Sequence, residues 1–262
     1  MVTRAFGDVQ ASVGKDHVAV AEIRRPPDNF FDAALIAALA DAWEWLDAEG
    51  ARAIVLCSEG KNFCAGADFT GRSSTAQRIG SSGGAGELYA EAARLFDGQL
   101  PVVASVQGAA VGGGLGLACA ADFRLASPTS RFSANFARIG LHQGFALSVT
   151  LPEIIGQQRS IGMLYTGRRI GGEEAARIGL ADRLVDPADL RSAAHVLAAE
   201  IAAAGPLAVR AIRGTMRAGL ADRARAAMER ELTEQQKLWP TADFAEGVRA
   251  AAERRPPSFE GR

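Results

Sequence analysis

Lysine, cysteine and tyrosine are scarce in this chain of 262 residues, and it has no long apolar run. The three cysteines, Cys57, Cys64 and Cys119, are odd in number and lack paired spacing. That argues against a disulfide framework or a zinc site and fits buried thiols in a reducing compartment. The first residues, MVTRAFGDVQASVGKDH, contain no apolar signal core. The longest apolar stretch, 108–121, is too short and too rich in glycine to span a bilayer. A cytoplasmic location without a membrane partner is therefore expected. Charge of one sign is lacking as well, since 29 Lys+Arg oppose 30 Asp+Glu for a net −1. With no strongly basic stretch, a nucleic-acid partner is not expected. The shortage of lysine, 3 against 26 arginines, reads as codon bias rather than as phosphate recognition.

What is present is an ordinary globular mix, 48% apolar and 23% charged, able to bury a sizeable core. The length leaves room for one large unit, or for a core with an appendage. Glycine is plentiful at 29 of 262, about 11% against a typical ~7%, and marks places where the backbone itself approaches something closely.

Periodicity predicts an alternating strand at 18–23, broken by Pro26 and Pro27. Asp32 can cap a following helix that carries Leu35, Leu39, Trp43 and Leu46 on one face. Continuous apolar runs predict buried strands at 53–57, 101–107 and 123–126. Residues 71–86, GRSSTAQRIGSSGGAG, read either as a lid or as a disordered insert, and a helix then passes through Leu88 and Leu95. From about residue 144 the pattern is helical, at 147–155, 162–165, 173–178, 190–203 and 207–238. Strands alternating with helices imply an α/β fold with parallel strands.

Two strands leave through small-residue turns, 63–68 and 111–117. Glycines at a helix start admit a ligand close to the backbone, where free N–H groups and the helix dipole favour negative charge. Two such turns side by side could aim two N–H groups at one oxygen, as an oxyanion hole does. Close packing of helix on sheet would also explain the run Gly112-Gly113-Gly114.

FCAGADF at 63–69, VQGAAVGGGLGLACAADFRLAS at 106–127 and YTGRRIGGEEAARIGLADRLV at 165–185, with the tail ERRPPSFEG at 253–261, resemble the crotonase superfamily, the enoyl-CoA hydratase/isomerase family. The resemblance covers essentially the whole chain. It implies a crotonase-like spiral of ββα units over 1–195 and a C-terminal helical oligomerisation region over 196–262, assembling as a trimer or a dimer of trimers. The implied ligand is an acyl-CoA thioester, with coenzyme A entering as part of the substrate and with no metal or redox cofactor. Its carbonyl oxygen would lie between the amides of Ala67 and Gly113. Ala65, Asp68 and Phe69 would contact CoA, as would Arg25 and Pro27 in the first turn. Arg254 in the tail would reach a neighbour's CoA phosphates.

The residues also depart from the family pattern. The two hydratase glutamates would fall at Gly116 and Phe136, and the acid of some isomerases and dehalogenases at Gly144. None of these three residues moves a proton. His142 is the leading substitute acid/base, although a lone histidine also reads as structural. Asp68, Glu87 and Glu91 are weaker candidates, and His17 and His195 read as surface residues. Phe136 and Phe145 could line an acyl tunnel. The expectation is enoyl-CoA hydratase/isomerase-type chemistry through a thioester enolate. The alternatives are a non-catalytic acyl-CoA carrier, or a hydrolase or decarboxylase.

Overall fold

A computed structural model describes residues 1–69 and 82–262. The chain opens with β1 (Val2–Phe6), β2 (Val9–Val13) and β3 (Val18–Ile23), an antiparallel meander. The helix α1 (Ala33–Ala48) then crosses to β4 (Ala53–Ser58), and α2 (Ser82–Asp97) leads to β5 (Val102–Val106). Next come β6 (Ala109–Val111), α3 (Gly113–Ala120), β7 (Phe123–Ala126) and β8 (Arg131–Ser133), closed by a helical turn at Asn135–Ile139. The helices α4 (Leu147–Ile155) and α5 (Gln157–Thr166) precede β9 (Arg169–Gly171), α6 (Gly172–Arg177) and β10 (Arg183–Leu184). The chain ends in α7 (Leu190–Ala203), α8 (Pro206–Met216), α9 (Leu220–Leu238) and α10 (Ala242–Glu253).

The large sheet has the order β1-β2-β3-β4-β5-β7-β10, parallel from β3 onward, and the small sheet has the order β6-β8-β9. The segments β5-β6-α3 and β7-β8-α4 repeat one ββα unit. Their first strands pair in parallel in the large sheet and their second strands pair in parallel in the small one. This is the expected α/β spiral.

Strand β4 shows why its run is continuously apolar. Ile54 and Leu56 join the core beneath α1 and α2, while Ala53, Val55 and Cys57 join a second core with Ala194, Leu197 and Ala198 of α7. With both faces covered, no position is left for a polar residue. The Asp32 cap is also present, its Oδ1 accepting from the Leu35 N–H at 2.8 Å. Leu35, Leu39, Trp43 and Leu46 all point inward.

Other expectations need correction. The hairpin β1–β2 was not anticipated; it turns through Gly7, whose φ of +53° suits glycine. The single helix expected over 207–238 is two helices, α8 and α9, because Gly219 takes a left-handed backbone (φ +72°) that interrupts the helix. The glycine-rich stretch 71–86 lies outside the described residues up to 81; from Ser82 the chain is α2. The division expected between 195 and 196 falls inside α7, which lies against β4 and β5. The C-terminal helices fold back over the spiral, α9 on α2 and α4, and α10 on the 135–139 turn. Among the described residues no single helix is long and apolar enough to cross a membrane.

Candidate functional site

The two small-residue turns meet because backbone hydrogen bonds lace them together. Cys64 N–H donates to Ala109 O at 2.9 Å and Val111 N–H to Cys64 O at 3.0 Å, which joins the 63–68 turn to β6. Phe31 N–H donates to Gly66 O at 3.0 Å from the other side. Gly66 (φ +85°) has no room for a side chain, since a Cβ there would stand 2.6 Å from Val111 O. A Cβ on Gly113 would overlap the Phe31 ring. Gly113 is the first residue of α3, so its N–H has no partner within the helix. Neither this N–H nor that of Ala67 donates to an acceptor among the described residues.

Both turns open on one cavity of about 60 Å³. Ala65, Gly66, Ala67, Gly112 and Gly113 form its backbone wall. The facing wall carries Phe69, Phe136, Ile139, Leu141 and Phe145. Phe31 lies 5.5 Å from Phe145, ring centre to ring centre, and Phe69 meets Phe244 of α10 edge-on at 5.7 Å. Among the described residues, no aspartate, glutamate, histidine, lysine or cysteine lines the cavity.

The structure therefore brings Ala65, Ala67, Phe69, Gly113, Phe136, Gly144 and Phe145 together. Gly116 sits one step behind the lining, where an added Cβ would stand 2.5 Å from Phe145 Cβ. Asp68 is buried outside the lining. The His142 side chain is also outside it, with Nδ1 2.9 Å from Gln143 O. Arg25 and Pro27 are outside as well; the Arg25 guanidinium is held by Asp8 at 2.7 Å and Asp32 at 3.1 Å. Arg254 lines an adjoining groove of about 1070 Å³ together with Lys61, Arg138, Arg168, Arg169 and Arg255. The groove shares Asn135 and Ile139 with the cavity. Glu87 is exposed and Glu91 pairs with Arg94 at 2.6 Å. His17 is exposed, and His195 lies 3.4 Å from Asp16. All three cysteines are buried and free, and burial pushes the Cys64 thiol up to about 12 and the Cys57 and Cys119 thiols up to about 11. They are neutral thiols.

Comparison with known proteins gives this geometry its family. The enoyl-CoA hydratase/isomerase family profile matches residues 14–262. The chain belongs to the enoyl-CoA hydratase/isomerase family. A probable enoyl-CoA hydratase of Rhodobacter capsulatus is 37% identical over 213 residues, covering 81% of this chain and 82% of the relative. An (E)-benzylidenesuccinyl-CoA hydratase of Thauera aromatica is 32% identical over 262 residues, 94% of this chain and 96% of the relative. Among solved structures, an enoyl-CoA hydratase/isomerase from Pseudoalteromonas atlantica superposes with a TM-score of 0.83 at 28% identity, covering 97% of this chain and 100% of that one.

In this enoyl-CoA hydratase/isomerase family member, sequence reasoning missed Asn135 on the lining and three further polar residues at the cavity. Tyr89 and Gln235 line it, and Glu231 stands behind. Glu231 accepts from Ala146 N–H at 2.9 Å, Ser148 N–H at 2.9 Å and the Ser148 hydroxyl at 2.6 Å. These bonds anchor a backbone in which Phe145 and Ala146 both take positive φ, 60° and 58°, a costly conformation for residues with side chains. Burial pushes the Glu231 carboxyl up to about 7, against the pull of its three donors. A signal for two of the three was legible: Leu220, Ala224, Met228, Glu231 and Gln235 fall at three- and four-residue spacing, so two polar residues lie on the buried stripe of α9. Tyr89 follows Ala85 by one turn on the inward side of α2 and had no comparable mark.

Proposed function

We propose that this protein binds an acyl-CoA thioester with its carbonyl oxygen between the Ala67 and Gly113 N–H groups. It then carries out enoyl-CoA hydratase/isomerase-type chemistry through the thioester enolate, without a catalytic glutamate pair. The observation that carries this reading is two N–H groups on adjoining turns that have no acceptor among the described residues and open on one largely apolar cavity. An enolate places negative charge on the carbonyl oxygen. Donors already fixed there stabilise it without reorganisation, and losing one typically costs about 2.7–4 kcal/mol.

In this reading Phe69, Phe136 and Phe145 surround the acyl end, and Ala65 lies beside the thioester. Arg254, with Lys61 and Arg169 in the adjoining groove, suits CoA phosphates, because an arginine fork can donate two parallel hydrogen bonds. Exposed Leu207, Ile212 and Met216 on α8 support assembly as a trimer or a dimer of trimers. Titration calorimetry with butyryl-CoA and with butyrate tests the ligand: the CoA ester should bind and the free acid should not. Equal affinity for the two would overturn the assignment.

The lack of carboxylates among the described lining residues favours a second reading, a carrier that binds acyl-CoA without turning it over. Hydration of crotonyl-CoA separates the two, since a carrier would bind the ester and leave it unchanged.

A further inference from the structure

Among the described residues the cavity lining lacks the usual proton-moving groups, yet one group there can do that work. Tyr89 is the only lining residue, among those described, with a titratable side chain. Its hydroxyl occupies the space beside Gly144 so closely that a Cβ at 144 would overlap it, and would also stand 2.8 Å from Gln235 Nε2. The phenol thus fills the place where the family resemblance puts an acid. Its orientation is set by donating to Gln235 Oε1 at 3.1 Å. Gln235 is fixed in turn, its Nε2 donating to His142 O at 3.1 Å and Gln143 O at 3.3 Å. Burial raises the Tyr89 pKa above the usual tyrosine range, with the nearby Glu231 charge adding to it, so the phenol rests neutral with its single proton on the bond to Gln235.

We propose that Tyr89 is the acid/base residue of this site, passing a proton between its hydroxyl and the carbon next to the thioester carbonyl. The inference rests on the acyl-CoA reading given above. In the protonating direction the enolate electron pair forms the new C–H bond while the Tyr89 O–H bond breaks. The thioester carbonyl is restored, and the negative charge passes from the enolate oxygen to the phenolate. Water then returns a proton to the phenolate and leaves as hydroxide. In the reverse direction hydroxide takes the Tyr89 proton and becomes water, the phenolate so formed removes the proton from carbon, and the oxyanion hole takes up the charge.

The test uses butyryl-CoA in deuterium oxide, with hydrogen exchange next to the carbonyl read by mass spectrometry. Wild type should exchange these hydrogens. Tyr89→Phe, which keeps the ring, should slow exchange by roughly 10²–10⁴-fold, while butyryl-CoA affinity by calorimetry stays within about twofold. Gln235→Met, which removes the orienting acceptor, should slow exchange in the same sense and serves as a second variant if Tyr89→Phe fails to fold. His142→Gln should exchange as wild type does. Binding without exchange by wild type, or equal exchange by wild type and Tyr89→Phe, would overturn the role of Tyr89 and leave the acyl-CoA reading intact. Absence of butyryl-CoA binding would remove both.

Discussion

The wall of the cavity built by the 63–68 and 111–114 turns presents backbone, whereas the facing wall presents aromatic side chains, and the two are held in place by different forces. The backbone wall is laced by hydrogen bonds among Phe31, Cys64, Gly66, Ala109 and Val111, and Gly66 and Gly113 leave no space for a side chain. On the aromatic wall Phe145 hangs on a loop with a second strained residue, Ala146, tied down by one buried carboxylate from a distant helix. The first wall can supply fixed dipoles and nothing titratable. In the proposed reaction, side-chain chemistry therefore has to come from the second. One wall suits a shared intermediate and the other suits a particular reaction.

The largest expected effect breaks the backbone wall. Gly113→Pro removes the proposed donor, but any residue at 113 also meets the Phe31 ring, so the comparison is made in a Phe31→Leu background. There Gly113→Ala keeps the N–H and Gly113→Pro lacks it. The proline variant should bind an enolate-mimicking CoA thioester about 3 kcal/mol more weakly than the alanine variant, with circular dichroism showing both folded. Equal binding would mean that the glycine serves packing alone.

The next effect concerns the anchor of the aromatic wall. The Glu231 carboxyl sits near 7 in the folded chain, pushed up by burial, against 4.5 as its ordinary value. A raised carboxyl binds more protons folded than unfolded, so its contribution to stability is present below pH 4.5 and lost as pH rises toward about 7. The loss reaches up to about 3 kcal/mol. Urea melts across this range should show the decline in wild type. Glu231→Gln, whose side chain stays neutral, should flatten it even though its overall stability is lower.

A smaller effect sharpens the contrast between the walls. Gly116→Glu places a carboxylate where the resemblance puts a hydratase glutamate, but its Cβ collides with Phe145. Destabilisation of about 1–3 kcal/mol is expected, and Phe145→Ala in the same chain should relieve part of it. Denaturant midpoints for the two single variants and the double variant measure the coupling; strict additivity would show that Phe145 does not fill that space. The smallest effect lies at the edge of the backbone wall. Asp32→Ala removes the cap beside Phe31 and should lower stability by about 1 kcal/mol in the same melts, with little change in ligand affinity.

Much of the fold was legible because its signals are local. The run 53–57 reads as a buried strand since β4 is covered on both faces, and the Asp32 cap with its apolar stripe needs only the spacing of one helix. The break at Gly219 was missed because α8 and α9 carry compatible helical patterns on either side of it, and one left-handed glycine separates them. At the site, the two turns and their unshared amides could be located from glycine placement. His142 attracted attention as a lone histidine near the right loop, yet its ring is not in the cavity lining, while an unremarked tyrosine is.

What sequence order alone settles here is what neighbours along the chain decide: strand and helix periods, the cap at Asp32, and turns small enough to expose N–H groups. Folding settles which residues from separate elements share one space. Tyr89 of α2, Gly144 of the loop before α4 and Gln235 of α9 converge only once α9 packs on α2 and α4. The Glu231 carboxyl is lifted because that same packing shuts out water. Contact and desolvation depend on distance in space, and separation along the chain carries almost no information about either.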